Sequence, residues 1–159
     1  MNRGPSFALA SLVLAVLALS ACSSTPGVVA TPTVAGGAIE LAVSQTCAAS
    51  SDLHCVAVNG ENVVLPSAFE RAGVGDAVVA EVEGRNAVDV TFSEEGSVVF
   101  RALTEKAAGA GSTARLVMRI GGELKAAVVV MQAMEGDQVQ IGLSPDDNAQ
   151  GVVDLIRRG

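Results

Sequence analysis

The chain has 159 residues, of which 50% are hydrophobic and 17% are charged, and its formal net charge is −7. This length supports one domain with a modest core. An acidic surface repels phosphates, and the sequence has no Trp or Tyr on which bases could stack, so we expect no nucleic-acid partner.

The amino-terminal segment has the features of an export signal. Arg3 supplies a positive charge, and Phe7 to Leu19 is an apolar run that is shorter than a typical membrane span. The run ends in Leu-Ser-Ala-Cys at residues 19–22, which resembles the bacterial lipobox, where the Cys thiol accepts a diacylglycerol group before cleavage. We therefore expect residues 1–21 to be a lipoprotein signal peptide. The alternative is an ordinary secretory signal cut nearby, with Cys22 incidental.

Lipidation of Cys22 would hold the chain on the extracytoplasmic side of the cell membrane, because the acyl chains bury in the lipid. Residues 22–37 contain two prolines and three glycines and have no apolar period. This composition is typical of a flexible tether. We expect the folded domain to occupy residues 38–159.

Two further cysteines, Cys47 and Cys55, lie at the start of that domain. In an exported chain, two remaining thiols favour a disulfide. A redox or metal site is the alternative, but the spacing is not Cys-x-x-Cys. His54 is the only histidine, whereas zinc needs more ligands. We therefore expect a structural Cys47–Cys55 disulfide, with no metal and no cofactor.

Short segments with a period of two residues, bounded by Gly, Pro and Asn, predict strands. A helical turn is also predicted at Ser67 to Ala72. The predicted strands are Ala38 to Ser44, Val56 to Val58, Val63 to Leu65, Asp76 to Glu83, Val88 to Phe92, Arg115 to Ile120, Glu123 to Gln132 and Val139 to Leu143.

Two segments have the apolar spacing of amphipathic helices. The first is predicted from about Glu94 to Ala108, with Ser93 as its cap. The second is predicted to be capped by Ser144, with Pro145 at its first position, and to end at Gly159.

The main part of the domain therefore has the order β-β-α-β-β-β-α. Strands joined by tight turns pair antiparallel. The predicted fold class is α+β, with an antiparallel sheet, mixed at most, and both helices on one of its faces.

The strand ending at Phe92 is followed by Ser-x-Glu-Gly-x-x-x-Phe-x-x-Leu-Thr at residues 93–104. This pattern resembles the head subdomain of the first periplasmic domain of SecD and SecDF, accessory subunits of the Sec preprotein translocase. The resemblance covers roughly Ala38 to Gly159 and is most specific from Val88 onward. It implies an extracytoplasmic module that contacts exported, unfolded polypeptides or translocase components.

The sequence departs from the SecD pattern at several positions. Val128 stands where the family usually has Pro, and Asn148 stands where it has Glu. SecD continues into membrane helices after the position of Gly159, where this sequence ends. We therefore expect no proton-driven pulling by this chain alone.

No catalytic constellation is recognisable in the sequence. The carboxylate pairs Glu94-Glu95 and Asp146-Asp147 lie where helix capping explains them. We therefore expect a non-catalytic interaction module. A lipoprotein that binds a small ligand or a cell-envelope component is the alternative, and an enzyme is the least supported. Met131 and Met134 fit either a core or an adaptable contact surface.

Overall fold

The computed structural model describes residues 36–48 and 53–159. The predicted signal peptide, the predicted lipidation site Cys22 and the predicted tether up to residue 35 lie outside the described residues.

The described chain forms eight strands and two helices in the predicted α+β order. Four strands precede the first helix: β1 (Ala38–Gln45), β2 (Cys55–Val58), β3 (Glu61–Val64) and β4 (Glu70–Val82). The remaining elements are β5 (Arg85–Phe92), α1 (Glu94–Gly109), β6 (Ala114–Ile120), β7 (Glu123–Val128), β8 (Gln138–Gly142) and α2 (Ala149–Arg158).

Six strands form one sheet in the order β7-β6-β1-β4-β5-β8, and every neighbouring pair is antiparallel. Tight turns with positive φ at Gly84 and at Gly121-Gly122 join β4 to β5 and β6 to β7, because glycine adopts this conformation without strain. Strand β1 lies between β4 and β6, so the two hairpins belong to one sheet.

Both helices pack on one face of this sheet, as predicted. On β6, the alternate residues Leu116, Met118 and Ile120 belong to the core that the helices cover. Phe100 of α1 is fully buried there and stacks on Phe92, with ring centroids 4.6 Å apart. Alternation along each strand thus directs one set of apolar residues to the helices.

The opposite face of the sheet is partly covered by the β2–β3 hairpin. Val58 and Val63 of the hairpin pack with Val117 and Ala127 of the main sheet. The hairpin thus buries apolar residues that point away from the helices.

A close contact between two glycines fixes the start of α1. Ser93 caps the helix by accepting a hydrogen bond from the Gly96 amide at 3.1 Å. A Cβ atom on Gly96 would lie 1.9 Å from the Gly73 carbonyl oxygen. Gly96 is therefore required because the helix backbone touches the β4 backbone.

The prediction of a helical turn at Ser67 to Ala72 is wrong. Strand β4 already begins at Glu70 and pairs with β1 through Leu41↔Glu70 and Ile39↔Ala72. The β4–β5 register shifts between Val74 and Asp76. This irregularity interrupts the alternation, so the sequence pattern of β4 starts six residues late.

Two boundaries also differ from the prediction. The predicted strand Glu123 to Gln132 ends at Val128, and α2 begins at Ala149 rather than near Pro145. Asn148 caps α2 by accepting a hydrogen bond from the Gly151 amide at 2.8 Å. Ser144 instead starts a separate turn, because its amide binds the Asp147 carboxylate at 3.2 Å and its carbonyl accepts from the Asp147 amide.

Candidate functional site

The main sheet curls, so that its two edge strands, β7 and β8, approach each other. Lys125 Nζ on β7 lies 2.6 Å from the carboxylate of Asp147, just beyond β8. Asn59, in the turn between β2 and β3, donates a hydrogen bond of 3.3 Å to the Gly142 carbonyl oxygen at the end of β8. The first contact joins β7 to the segment after β8, and the second joins the β2–β3 hairpin to the end of β8.

Lys125 reaches Asp147 because of an irregularity in β7. Met118 pairs with Ala126 and Arg119 with Leu124, so Lys125 is an extra residue without a partner on β6. Its side chain is only 11% exposed. The hydrogen bond to Asp147 and, second, that to Glu123 raise the pKa of Lys125, against the opposing effect of burial.

The last residue of β7 and the chain after it form a mainly apolar surface, Val128 to Met134, which we call the valine–methionine surface. Val129 is 48% exposed and Met131 is 87% exposed. The segment is held over α1, because the Met134 amide donates a hydrogen bond of 3.1 Å to Oγ1 of the buried Thr104. Its apolar groups therefore face solvent at a fixed place.

A cavity of about 270 Å³ lies beneath this surface. Phe100 of α1 and Leu116 and Met118 of β6 line it, together with the valine–methionine surface. Val139 of β8 lines it from the opposite edge of the sheet. The lining is mainly apolar, with Gln132 as its one polar side chain among the described residues, and it includes Val128 and Val139 of the two edge strands.

Beside the cavity, no described strand pairs with the outer side of β8. The Asp137 carbonyl and the Leu143 amide both bond towards β5. Because main-chain groups alternate along an antiparallel strand, those of Gln138 and Gln140 point outward. This edge can therefore offer hydrogen bonds to an extended segment.

The sites predicted from sequence lie elsewhere. Cys47 and Cys55 form a disulfide, with Cα atoms 5.9 Å apart, next to the β2–β3 hairpin. Glu94 and Glu95 occupy the first turn of α1, as predicted. Asp147 lies before α2, which begins at Ala149, and pairs with Lys125.

Two further observations concern metals and membranes. Within the described residues, His, Cys, Asp and Glu side chains form no group of three or more that could hold a metal ion. None of the helices there has the length and apolar character needed to cross a membrane.

The sequence pattern does not indicate the valine–methionine surface, because it predicts that Val128 to Val130 lie inside a strand. A run of valines is typical of a buried strand, and nothing in the sequence indicates that pairing ends at Val128. Met131 and Met134 are the one signal in the sequence. This pair fits either a core or an adaptable contact surface.

No known protein family matches this chain, and no curated protein matches it. The chain is similar to a solved structure of SecDF, described as a membrane component that enhances protein export. The sequences are 20% identical, the TM-score is 0.55, and the match covers 78% of this chain and 63% of the SecDF chain. At this identity the likeness concerns the fold. The domain therefore has the SecD-like fold that residues 93–104 predict.

Proposed function

We propose that this protein is a non-catalytic, lipid-anchored module on the extracytoplasmic side of the cell membrane that contacts exported, unfolded polypeptides or translocase components. The observation that carries the proposal is the exposed valine–methionine surface beside the outer side of β8, with which no described strand pairs. The fold likeness to SecDF, which enhances protein export, adds support.

The geometry suits an extended segment better than a folded partner. The outward main-chain groups of Gln138 and Gln140 would pair with the backbone of the segment, as in strand addition. Successive side chains of a strand point to opposite sides, so every second one would face the cavity beside Val139. Main-chain pairing is independent of sequence, whereas the apolar cavity selects for apolar side chains.

Photo-crosslinking in native membranes tests this proposal. Probes at Val129 and Gln140 should crosslink to exporting chains or to translocase subunits. A probe at Val98 is the matched control, because this valine is 63% exposed on α1 and does not line the cavity. Equal crosslinking from all three positions, or one unrelated partner only, would refute polypeptide binding at this site.

The anchor is tested separately by Cys22→Ser. If Cys22 carries acyl chains, the variant should move from the membrane fraction to the soluble fraction and lose fatty-acid labelling. Residue 22 lies far from the folded domain in sequence, so the thermal unfolding midpoint should not change. Membrane retention of the variant would contradict the lipid anchor.

The Cys47–Cys55 disulfide is proposed to form after export, where the compartment is oxidising. After proteolytic digestion of the isolated protein, the peptides that contain Cys47 and Cys55 should stay linked until they are reduced. Chain entropy predicts that the bond stabilises the domain by about 2 to 3 kcal/mol. Free thiols in protein isolated under alkylating conditions would exclude this role.

The alternative is a lipoprotein that binds a small ligand in the same cavity. The apolar lining favours it, but a volume of about 270 Å³ is at the lower limit for ligand sites, which typically occupy about 300 to 1,000 Å³. A small molecule that co-purifies in native mass spectrometry, without any crosslinked polypeptide, would favour this alternative.

A further inference from the structure

The methionines of this chain are concentrated at one place. The sequence has four, at positions 1, 118, 131 and 134. The last three all line the cavity of about 270 Å³ beneath the valine–methionine surface. Every methionine after the first residue thus faces the same small space, although two come from the connection after β7 and one comes from the sheet.

The three side chains come from different elements and differ in exposure. Met118 lies on β6 and is 2% exposed, so packing fixes it at the inner wall. Met131 and Met134 are 87% and 38% exposed, three residues apart on the outer wall. An exposed methionine has three rotatable bonds and adjusts its position readily. The side chains of the outer pair can therefore change rotamer to meet a ligand that contacts Met118.

The chemistry of the lining selects the kind of ligand. A thioether sulfur is soft and uncharged, and it prefers soft metal ions such as Cu(I). The described residues that line the cavity include no carboxylate, imidazole or thiol. Three neutral ligands cannot offset a divalent charge in an apolar space, whereas a single charge costs less to bury. Zn²⁺ prefers thiolate, imidazole or carboxylate donors, which this lining lacks, and Mg²⁺ and Ca²⁺ need several oxygen donors, of which the described lining offers one side chain, Gln132.

We propose that this cavity binds one Cu(I) ion through the sulfur atoms of Met118, Met131 and Met134. The inference is independent of polypeptide binding, because it depends on the sulfur atoms rather than on the apolar surface. Leucine replaces methionine with similar volume and no sulfur. Methionine-to-leucine variants should therefore lose the metal while keeping the apolar surface.

The test is a Cu(I) titration of the full chain against a chromophoric Cu(I) chelator, in the absence of oxygen. All proteins carry Cys22→Ser, which prevents acylation and also removes any unmodified Cys22 thiol that would compete for Cu(I), and the Cys47–Cys55 disulfide is kept oxidised. We expect one ion per chain. Met118→Leu, Met131→Leu and Met134→Leu should each weaken binding by more than about tenfold, as outer-shell changes alone reach that size. The same affinity in the triple leucine variant would overturn the proposal.

Two controls show whether the ion binds in the cavity itself. Leu65→Met adds an exposed thioether outside the cavity and should leave both affinity and stoichiometry unchanged. Nuclear magnetic resonance of methyl-labelled methionine avoids any folding defect of the variants. Cu(I) should shift the methyl signals of Met118, Met131 and Met134 together. If Met118 does not shift, the buried wall is not a ligand and the cavity site is refuted.

Discussion

Gly96 has no Cβ atom, and this allows the start of α1 to pack directly on β4. In an isolated helix, replacing Gly with Ala is favourable by roughly 0.5–1 kcal/mol. In this domain the added Cβ would lie 1.9 Å from the Gly73 carbonyl oxygen. We expect steric overlap to exceed helix propensity, so that Gly96→Ala lowers the free energy of unfolding by more than about 2 kcal/mol. Urea denaturation measures this change.

The same helix provides the control for this prediction. Gly109 is the last residue of α1, and a Cβ there would meet no atom within 4 Å. Gly109→Ala should leave the stability unchanged or raise it by up to about 1 kcal/mol. Equal effects of the two substitutions would show that the contact between Gly73 and Gly96 does not constrain the packing.

Glu40 is a second residue whose surroundings give a measurable prediction. Arg119 donates hydrogen bonds of 2.7 and 2.8 Å to its carboxylate, and its guanidinium lies 3.9 Å from the centre of the Phe69 ring. The hydrogen bond from Arg119 lowers the pKa of Glu40, against the opposing effect of burial. The Glu40–Arg119 pair therefore contributes its full stabilisation above the pKa of an unfolded Glu carboxyl, about 4.3. This stabilisation is lost as the pH falls through the lower pKa of Glu40 in the folded protein.

Glu40→Gln should remove this acid dependence. The difference in thermal unfolding midpoint between the wild-type protein and Glu40→Gln should be largest near pH 6 and should shrink below about pH 4.3. Glu81→Gln, at an exposed position of β4, is the matched control and should follow the wild-type curve. A difference that stays constant down to pH 2 would contradict a role for the ionised Glu40 carboxylate.

At the scale of elements, Asn148 and Ser144 are the two candidates for the residue that caps α2. Asn148 accepts the hydrogen bond from the Gly151 amide, whereas Ser144 contributes only its main chain to the preceding turn. Asn148→Ala should therefore cost about 1 kcal/mol. Ser144→Ala should change the stability by less than about 0.5 kcal/mol. Urea denaturation of both variants checks this ranking, and the reverse order would restore Ser144 as the cap.

The two helices show how much of an element the sequence specifies. Ser93, Glu94 and Glu95 place the start of α1 correctly, because each of them acts on the helix itself. Ser144 and Pro145 form an equally good start signal for α2, but Asp147 binds both the Ser144 amide and Lys125. The partner is 22 residues away in the chain, so a local pattern cannot predict that the helix begins at Ala149.

At the scale of the whole molecule, the ion pair between Lys125 and Asp147 holds the curled sheet together at its edges. The side chains are 11% and 18% exposed. Lys125→Met would leave the Asp147 carboxylate without its cation, at a cost of about 1–3 kcal/mol. Denaturation of the variant should show this loss. Relative to the wild-type protein, hydrogen exchange in the variant should accelerate more in β7 and β8 than in β1. Lys106→Met, at an exposed position of α1, should have little effect.

The pKa of Lys125 fixes the pH range of this effect. Because the folded-state pKa is raised, the stabilisation is complete below the ordinary lysine pKa of about 10.4 and is lost as the pH rises through the folded value. The difference between the wild-type protein and Lys125→Met should therefore be constant from pH 6 to 9. A difference that disappears in this range would exclude the ion pair as its cause.

The candidate site could not be predicted from sequence for the same reason as the α2 boundary. Phe100, Met118 and Val139 come from a helix and from two strands that are not neighbours in the sheet. Only the curling of the sheet brings them around one cavity. The order of elements follows from local periodicity, whereas the cavity depends on contacts between distant parts of the chain.

The irregular β7 strand has a consequence for how copies of this protein behave when they are crowded. A sheet with two open sides lets identical molecules add one after another without limit, which leads to filaments. Here the extra residue Lys125 makes β7 irregular and its side chain pairs with Asp147, so β7 is a poorer edge for a further strand than β8. If only β8 accepts a further strand, self-association through the sheet edges should stop at a pair. At high concentration the domain should therefore form pairs rather than filaments, and an extended chain bound along β8 should compete with this pairing.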